Sequence, residues 1–169
     1  MIRALVVAAA AFVPMLMEAA RSRRNERVLR ARGAVEPRGD VYPWMQVAYP
    51  SCFVAIAAEA LVRNERAGRT LLVGGAVFAA AKALKYWAIA ELGERWTFRV
   101  LVLPGAPLIA TGPYRWLRHP NYVGVAGEIL GAAMMASAPV AGTISFIAFG
   151  GMMLARVRVE ERALDSCAR

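Results

Sequence analysis

The sequence has a single histidine, His119, and only two cysteines, Cys52 and Cys167, among its 169 residues. One histidine excludes a histidine-rich metal centre, and the two cysteines form neither a disulfide framework nor a metal-ligand spacing. We therefore expect no metal site. Acidic residues are also few, since 12 aspartates and glutamates stand against 21 lysines and arginines and leave a net charge of +9. The sequence shows no internal repeat and no low-complexity tract.

The composition indicates a membrane protein. Hydrophobic residues make up 59% of the chain. Such an apolar composition with many arginines is unusual for a soluble domain, but it is typical of a small helical membrane protein that keeps its charges in loops. A basic protein can also bind nucleic acid. Here the arginines lie beside apolar runs, so membrane lipids with anionic headgroups are the expected partners and nucleic acid is not.

Five apolar runs predict an all-α fold, a polytopic membrane bundle of about five transmembrane helices in one domain of residues 1–169. The first run is interpreted as a retained helix rather than a signal peptide, because arginines follow it where a cleavage site is expected. Ala138-Pro139 predicts a tight break between the last two runs, which should form an antiparallel hairpin. The predicted spans are 2–20, 43–62, 70–90, 121–137 and 140–155.

The segment 21–40 is the most basic part of the chain and holds seven arginines. Its pattern suggests a short amphipathic helix that ends at Gly33 on the membrane surface, or a solvated loop that fixes the topology. With the amino terminus outside, fifteen arginines fall on the inner side of the membrane. Only Arg3, Arg63, Arg66 and Arg69 fall on the outer side. This asymmetry predicts a cytoplasmic carboxyl terminus.

Several predicted spans carry charges, which are costly in a bilayer unless they face protein, a polar cavity or the interface. We expect Glu18 to face protein rather than lipid. Lys82 and Lys85 lie one turn apart, and they either face a polar cavity or extend to the membrane surface. Glu128 lies in the middle of the fourth span, which is slightly short for ~30 Å of hydrocarbon.

A polar insert at 112–124 interrupts the apolar sequence with glycines, prolines, aromatic rings, two arginines and the only histidine. A bilayer tolerates irregular backbone only where protein buries it or where it lines a polar cavity. Pro120 predicts the start of a helix just after His119, and the free N–H groups of that helix can bind an anionic ligand group. The alternative is a surface loop anchored at the lipid headgroups by its aromatic and arginine side chains.

A second polar constellation, 156–161, follows the fifth apolar run. On a helix Arg156 and Glu160 stand four residues apart and share a face. Such a pair is by itself typical of a solvated surface ion pair that contributes little. The position of this pair favours a functional role, because the start and the end of the predicted hairpin meet on one face of the membrane.

Together these motifs resemble the isoprenylcysteine carboxyl methyltransferase family of integral-membrane methyltransferases. The resemblance rests on Gly-Pro-Tyr at 112–114, on Arg-His-Pro-Asn-Tyr at 118–122 and on Arg156-x-x-x-Glu160-Glu161, and it extends from about Lys85 onward. Phosphatidylethanolamine methyltransferases share part of this pattern. Small bacterial enzymes that methylate alkylpyrones or alkylresorcinols are similar over the whole chain, although they often have a histidine where Val41 stands here.

The resemblance implies a pocket for S-adenosylmethionine. It divides the domain into three amino-terminal spans, 1–91, and a region of cofactor-binding loop, helical hairpin and tail, 92–169. Arg156 is implied as the catalytic residue on the substrate side. The implied cofactor-binding residues are Ala106, Pro107, Leu108, Ile109, Tyr114, His119, Pro120, Asn121, Tyr122 and Glu160.

These implied roles are physically reasonable. The sulfonium of the cofactor is a cation, which Glu160 or the ring of Tyr114 can stabilise. The carboxylate of the cofactor suits the helix start at Pro120, and Leu108 can cover the adenine. Arg156 can hold an oxygen nucleophile in line with the methyl group, so that positioning supplies most of the rate.

The resemblance therefore implies a membrane-embedded enzyme that moves a methyl group from S-adenosylmethionine to an oxygen of a lipophilic acceptor. The oxygen belongs to a carboxylate, phenol or enol, as in a polyketide-type phenolic lipid or a prenylated compound. We expect the acceptor to enter from the bilayer and the active site to lie on the cytoplasmic face of a bacterial plasma membrane. Two alternatives remain: an NAD(P)H-dependent reductase related to the larger membrane sterol reductases, and a non-catalytic membrane module with the same fold.

Overall fold

The protein is an all-α bundle in a computed structural model that describes residues 1–64 and 68–167, with side chains as far as Leu164. Two short 3-10 turns lie in the connection between the third and fourth helices, and within the described ranges the extended backbone pairs only at an isolated bridge between Val35 and Val102. The α-helices are α1 (Ile2–Ala31), α2 (Tyr42–Arg63), α3 (Arg69–Leu92), α4 (Pro120–Ala136) and α5 (Pro139–Cys167).

Helix length and composition agree with a membrane bundle. Among the described residues four helices, α1, α2, α3 and α5, are long and apolar enough to cross a membrane. The 17 residues of α4 extend about 25 Å at 1.5 Å per residue, which is less than the ~30 Å of a typical hydrocarbon core. More than half of the α4 residues are buried against the other helices. The predicted bundle is confirmed, with α4 as its short, enclosed member.

Successive helices run in opposite directions. At one end the amino-terminal nitrogen of Met1 lies 3.5 Å from Oδ1 of Asn64, and the guanidinium of Arg3 donates to Oγ1 of Thr70 at 3.3 Å. These contacts place the start of α1 beside the end of α2 and the start of α3. The other end, here called the basic end, holds the connections 32–41 and 93–119 and the last turns of α1 and α5.

The basic end collects the arginines as the sequence predicts. The segments 21–40, 95–118 and 156–162 all lie there, so the residues assigned to the inner side share one end of the bundle. Arg66 and Arg169, which complete the predicted asymmetry, lie outside the described residues. The prediction that the basic end is cytoplasmic remains a prediction.

The segment 21–31 differs from the predicted short surface helix. It is not a separate helix on the membrane surface but the last third of α1, whose 30 residues extend about 45 Å. Contacts with the connection between α3 and α4 hold this part of α1 in the bundle. Nδ2 of Asn25 donates to the carbonyl of Trp96 at 2.7 Å, and Oγ of Ser22 accepts from the amide of Phe98 at 2.8 Å. The predicted end holds, because Gly33 follows the helix with a left-handed φ of +84°.

The carboxyl-terminal hairpin forms as predicted. The helix α4 ends at Ala136, Ser137 adopts a left-handed conformation with φ of 51°, and α5 begins at Pro139. The segment after residue 155 is not a separate tail, because α5 continues through it without a break. The residues 156–161 are therefore carried on the same helix that forms the fifth span.

Close approach of α3 and α4 depends on glycine. A side-chain carbon placed on Gly131 would lie 2.6 Å from the backbone nitrogen of Phe78, and one on Gly74 would lie 2.4 Å from that of Met135. Neither contact can be relieved by a side-chain movement. Small residues that let helix backbones approach closely are a common means of packing helices in lipid, and this packing fixes the position of α4.

A buried cluster of charges joins three helices. Nζ of Lys85 lies 2.6 Å from Glu18 and 3.4 Å from Glu128, and Nζ of Lys82 lies 2.9 Å and 3.2 Å from the same two carboxylates. The hydroxyl of Tyr49 donates to Glu128. Glu18 therefore faces protein, as predicted. The two lysines do not extend to the membrane surface; they neutralise buried carboxylates instead.

Candidate active site

The two polar motifs singled out in the sequence meet at the basic end. His119 is the N-cap of α4 and Pro120 is its first residue, as the sequence predicts. Nε2 of His119 lies 3.3 Å from Oε1 of Glu161, and Nδ1 lies 3.8 Å from Oε2 of Glu160. The start of α4 thus faces the last turns of α5, and the imidazole lies beside two carboxylates.

The hydroxyl of Tyr122 connects the two roles predicted for α5. It donates to Oε2 of Glu160 at 2.9 Å and accepts from Nε of Arg156 at 2.8 Å. The Tyr122 ring also lies beside the imidazole of His119, with 5.6 Å between the ring centres. Because one hydroxyl binds both residues, the side predicted for the cofactor and the side predicted for the acceptor form one hydrogen-bonded network.

Arg156 is almost completely buried, with 5% of its surface exposed. Besides Tyr122, its guanidinium donates from Nη1 to Oδ1 of Asp40 at 3.1 Å and from Nη2 to the carbonyl oxygen of Phe98. The ring of Tyr42 lies 5.9 Å from its central carbon. A guanidinium has five N–H groups, so three are in use in this structure. About two remain for a further acceptor.

Asp40 is a site residue that the sequence analysis missed. Its carboxylate accepts from the backbone amide of Tyr42 at 3.0 Å, from that of Val100 at 2.9 Å and from Arg156. In the sequence Asp40 merely closes the arginine-rich segment, and 116 residues separate it from Arg156. A weak signal was present, since Asp40 lies two residues before the helix start at Tyr42-Pro43.

Tyr114 lies in the short 3-10 turn before α4 and is half-buried. Burial raises the pKa of its hydroxyl well above the usual range, and the negative charges of Glu160 and Glu91 raise the pKa further. The field of Glu160 therefore reaches Tyr114. The hydroxyl stays protonated and available as a donor at neutral pH.

The predicted residues Ala106, Pro107, Leu108 and Ile109 form a strip of the connection between α3 and α4, in which Pro107 and Leu108 are exposed and the other two are half-buried. Leu108 is 68% exposed, and the carbonyl of Pro107 accepts from Nη1 of Arg95 at 2.5 Å. Among the described residues, no hydrogen bond or ion pair joins this strip to Glu160 or Tyr122. The structure thus brings together Tyr114, the start of α4 and α5, whereas the cofactor-binding role of the strip 106–109 stays a prediction.

Asn121, also predicted at the site, helps to fix the start of α4. Its Oδ1 accepts from the indole nitrogen of Trp96 at 3.4 Å. Trp96 is itself buried and packs edge-to-face on Phe98, with 5.3 Å between the ring centres. The carbonyls of Trp96 and Phe98 are the ones that hold Asn25 and Arg156. One short segment of the connection therefore positions α1, α4 and α5 together.

Two cavities lie away from this site. They have volumes of about 470 and 400 Å³ and border residues such as Thr70, Ser137 and Ala141 at the end of the bundle opposite the basic end. The polar residues of the candidate active site line neither cavity.

The fold and the site define a class: an integral-membrane helical bundle with a network of carboxylates, imidazole, phenol and guanidinium at one end. The model of the isoprenylcysteine carboxyl methyltransferase family matches residues 70–166, more than half of the chain. The chain belongs to this family, and family membership makes it a membrane methyltransferase. The match covers α3, α4 and α5 and every site residue predicted from the sequence, but it does not include Asp40 or Tyr42.

Two relatives are similar over most of the chain. The protein YpbQ of Bacillus subtilis (strain 168), described as uncharacterized, is 33% identical over 148 residues, which is 88% of each chain. An uncharacterized protein of Haemophilus influenzae (strain Rd) is 26% identical over 143 residues, 84% of this chain and 83% of its own. No solved structure matches the chain.

Proposed function

We propose that the protein transfers a methyl group from S-adenosylmethionine to an oxygen of a lipophilic acceptor, such as a polyketide-type phenolic lipid or a prenylated carboxyl compound. The observation that carries the proposal is the hydroxyl of Tyr122. It joins Glu160, the carboxylate expected to face the cofactor, to Arg156, the guanidinium expected to face the acceptor.

The residues at the basic end fit this cofactor in charge and polarity. Its sulfonium and amino groups are cationic, and the partly exposed carboxylates of Glu160 and Glu161 could bind them. The ring of Tyr114 can face a cation as well. The carboxylate of the cofactor suits the start of α4 next to His119. The exposed side chain of Leu108 offers an apolar cover for adenine.

On the acceptor side, the reaction needs orientation more than a strong base. When bound, the cofactor would supply an electrophilic methyl group, and S-adenosylhomocysteine would be the second product. The new O–C bond would form from a lone pair of the acceptor oxygen as the S–C bond breaks, and the proton of an acceptor O–H would pass to water. Carboxylic acids are ionised at neutral pH, and phenols and enols are acidic enough that no strong base is needed. The free N–H groups of Arg156 would hold the oxygen in line, which is where enzymes gain much of their rate.

The level of the site in the membrane suits an amphiphilic acceptor. Trp87 and Trp116 lie edge-to-face with 6.0 Å between their ring centres, and both are exposed near the basic end. Exposed tryptophans mark the boundary between hydrocarbon and headgroups. An acceptor whose tail lies in the bilayer would then present its polar head at the level of the site. The arginine asymmetry supports a cytoplasmic position for this face.

The decisive experiment measures cofactor binding on the purified protein in lipid nanodiscs. Titrations with S-adenosylhomocysteine and with NADPH are compared for the wild type, for Glu160→Ala and for the control Glu94→Gln, whose carboxylate pairs with Arg32 on the exposed surface. We expect binding of S-adenosylhomocysteine alone, weakened by Glu160→Ala and unchanged by the control. Binding of NADPH alone would identify a reductase, and no binding of either would identify a non-catalytic module.

The second stage looks for the product. The protein is incubated with methyl-labelled cofactor and with phenolic, enolic and carboxylic lipids of matched chain length. Label in an alkali-stable ether indicates a phenol or enol acceptor, whereas label in an ester that alkali releases indicates a carboxylate. Label that appears in none of these lipids would count against the proposed acceptor class.

A further inference from the structure

Asp40 and Arg156 form a buried ion pair that links the connection between α1 and α2 to the last part of α5. The side chain of Asp40 is 5% exposed and that of Arg156 is 6% exposed, with 3.1 Å between Oδ1 and Nη1. Burying such a pair is expensive, and an ion pair in the interior is therefore weak evidence for a role in stability alone. Because Arg156 is itself a residue of the predicted site, the pair calls for a functional explanation.

The carboxylate of Asp40 cannot rotate freely. Its Oδ1 accepts from the amide of Tyr42 and its Oδ2 accepts from the amide of Val100, at 3.0 and 2.9 Å. The two amides belong to the start of α2 and to the connection before α4. Since two backbone segments fix the carboxylate, the carboxylate in turn fixes the guanidinium that binds it.

The guanidinium of Arg156 is held on all its nitrogens. Nε donates to Tyr122, Nη1 to Asp40 and Nη2 to the carbonyl of Phe98, while the ring of Tyr42 lies 5.9 Å away. Of these partners only Asp40 carries a charge opposite to that of Arg156. Without it, a buried cation would face neutral groups and would seek another carboxylate, of which Glu160 is near through Tyr122.

From this geometry we propose that Asp40 is a positioning residue for methyl transfer: it holds Arg156 apart from Glu160, so that the guanidinium presents its free N–H groups to the acceptor. The inference rests on the proposed function of the site. It assigns a role to a residue outside the segment 70–166, so the amino-terminal part of the chain contributes to the active site and does not only anchor it.

The pairing of Asp40 with Arg156 also affects which acceptors can bind. Arg156 paired with Asp40 is neutral as a unit, whereas Glu160 remains for the cationic cofactor and Glu161 lies 3.4 Å from Nη1 of Arg118. The pair therefore directs hydrogen bonds to the acceptor oxygen without a large unbalanced positive charge. Such a site accepts a neutral phenol or enol head as well as its anion, because either offers an oxygen lone pair to a guanidinium N–H.

The test compares three Asp40 variants with matched variants of Glu36. Glu36 lies in the same connection and also binds arginines, Arg30 and Arg99, but not Arg156. Asp40→Glu keeps the charge and displaces the carboxylate, Asp40→Asn keeps the shape and removes the charge, and Asp40→Ala removes both. Turnover, Michaelis constant for the acceptor, affinity for S-adenosylhomocysteine and melting temperature are measured on each preparation in nanodiscs.

We expect turnover to fall at least tenfold in Asp40→Glu and further in Asp40→Asn, with the affinity for S-adenosylhomocysteine within about twofold of the wild type. Glu36→Asp and Glu36→Gln should keep wild-type turnover. Wild-type turnover in Asp40→Glu would overturn the proposal. So would a loss of turnover that follows the melting temperature equally in the Asp40 and Glu36 series.

A melting cycle tests the ion pair without relying on methyl transfer. Asp40→Asn and Arg156→Gln each leave one buried charge without its partner, whereas the double variant leaves none. We expect the double variant to melt no lower than the less stable single variant. Additive losses would show that Asp40 does not hold Arg156. A wild type that binds no S-adenosylhomocysteine would overturn the proposed function, and the melting cycle would still decide whether Asp40 holds Arg156.

Discussion

Arg156 and Glu160 lie one turn apart on α5, and the hydroxyl of Tyr122 stands between them, 2.8 Å from Nε of Arg156 and 2.9 Å from Oε2 of Glu160. The sequence spacing favours a direct ion pair. The ion pair that Arg156 makes in the structure is with Asp40 instead. The two residues can therefore serve different ligands, and the following predictions test that division.

Tyr122→Phe should uncouple the two sides while keeping the ring in place. The phenol binds a carboxylate and a guanidinium, and hydrogen bonds to charged groups contribute about 1.5–3 kcal/mol each. We expect turnover to fall by roughly 10- to 100-fold, and cofactor affinity to fall less because Glu160 keeps its charge. Steady-state kinetics and calorimetry on one preparation measure both. Unchanged turnover would mean that the Tyr122 hydroxyl only stabilises the fold.

Arg156→Ala should leave the affinity for the cofactor nearly intact and abolish most methyl transfer. Arg156→Lys should restore part of the turnover, because an ammonium keeps the charge but loses the planar, two-pronged donor geometry. The check is to measure affinity, turnover and melting temperature together. Equal losses in affinity and turnover that follow a lower melting temperature would identify Arg156 as a structural residue.

Glu160→Ala and His119→Ala should each weaken cofactor binding. Each removes a polar partner from a partly desolvated site, at a cost of about 1.5–3 kcal/mol for a charge-assisted contact. This corresponds to a roughly 10- to 150-fold rise in the dissociation constant for S-adenosylhomocysteine. Isothermal titration measures it, with Glu94→Gln as the surface control. If both variants bind like the wild type, the cofactor does not occupy this place.

Lys85→Met should destabilise the bundle strongly. It leaves Glu18 and Glu128 with only Lys82, in a region where Lys85 is 2% and Glu128 is 1% exposed. Removing one partner of a buried pair costs about 3–5 kcal/mol. Adding Glu128→Gln should recover part of this loss, since one cation then faces one carboxylate. Thermal unfolding in a mild detergent measures the stability of both variants. A double variant less stable than Lys85→Met would contradict the interpretation that the lysines neutralise these carboxylates.

The orientation of the bundle can be tested by cysteine labelling. In a background without Cys52 and Cys167, a cysteine at Arg30 should react only after the membrane is made permeable. A cysteine at Asn64, at the opposite end, should react in intact cells. The reverse pattern would place the basic end outside and would contradict the topology that the arginines predict.

Much of the fold follows from local sequence. Apolar runs of sufficient length specify membrane helices because the bilayer core offers no partner for an exposed backbone group. Proline and glycine specify helix ends locally, so Pro120, Pro139 and Gly33 marked the beginnings of α4 and α5 and the end of α1 correctly. The sequence alone also indicated that the residues near His119 and those near Arg156 lie at one end of the bundle, because helix directions alternate.

Only the tertiary structure decided which charges meet. In the sequence, Glu18, Lys82, Lys85 and Glu128 are isolated charges in three helices, and each alone is unfavourable in a bilayer. Whether they neutralise one another depends on how those helices are rotated about their axes. The same holds for Asp40, which closes a basic segment in the sequence and binds Arg156 in the fold. Helix rotation and packing bring together side chains more than a hundred residues apart, and no local pattern encodes that contact.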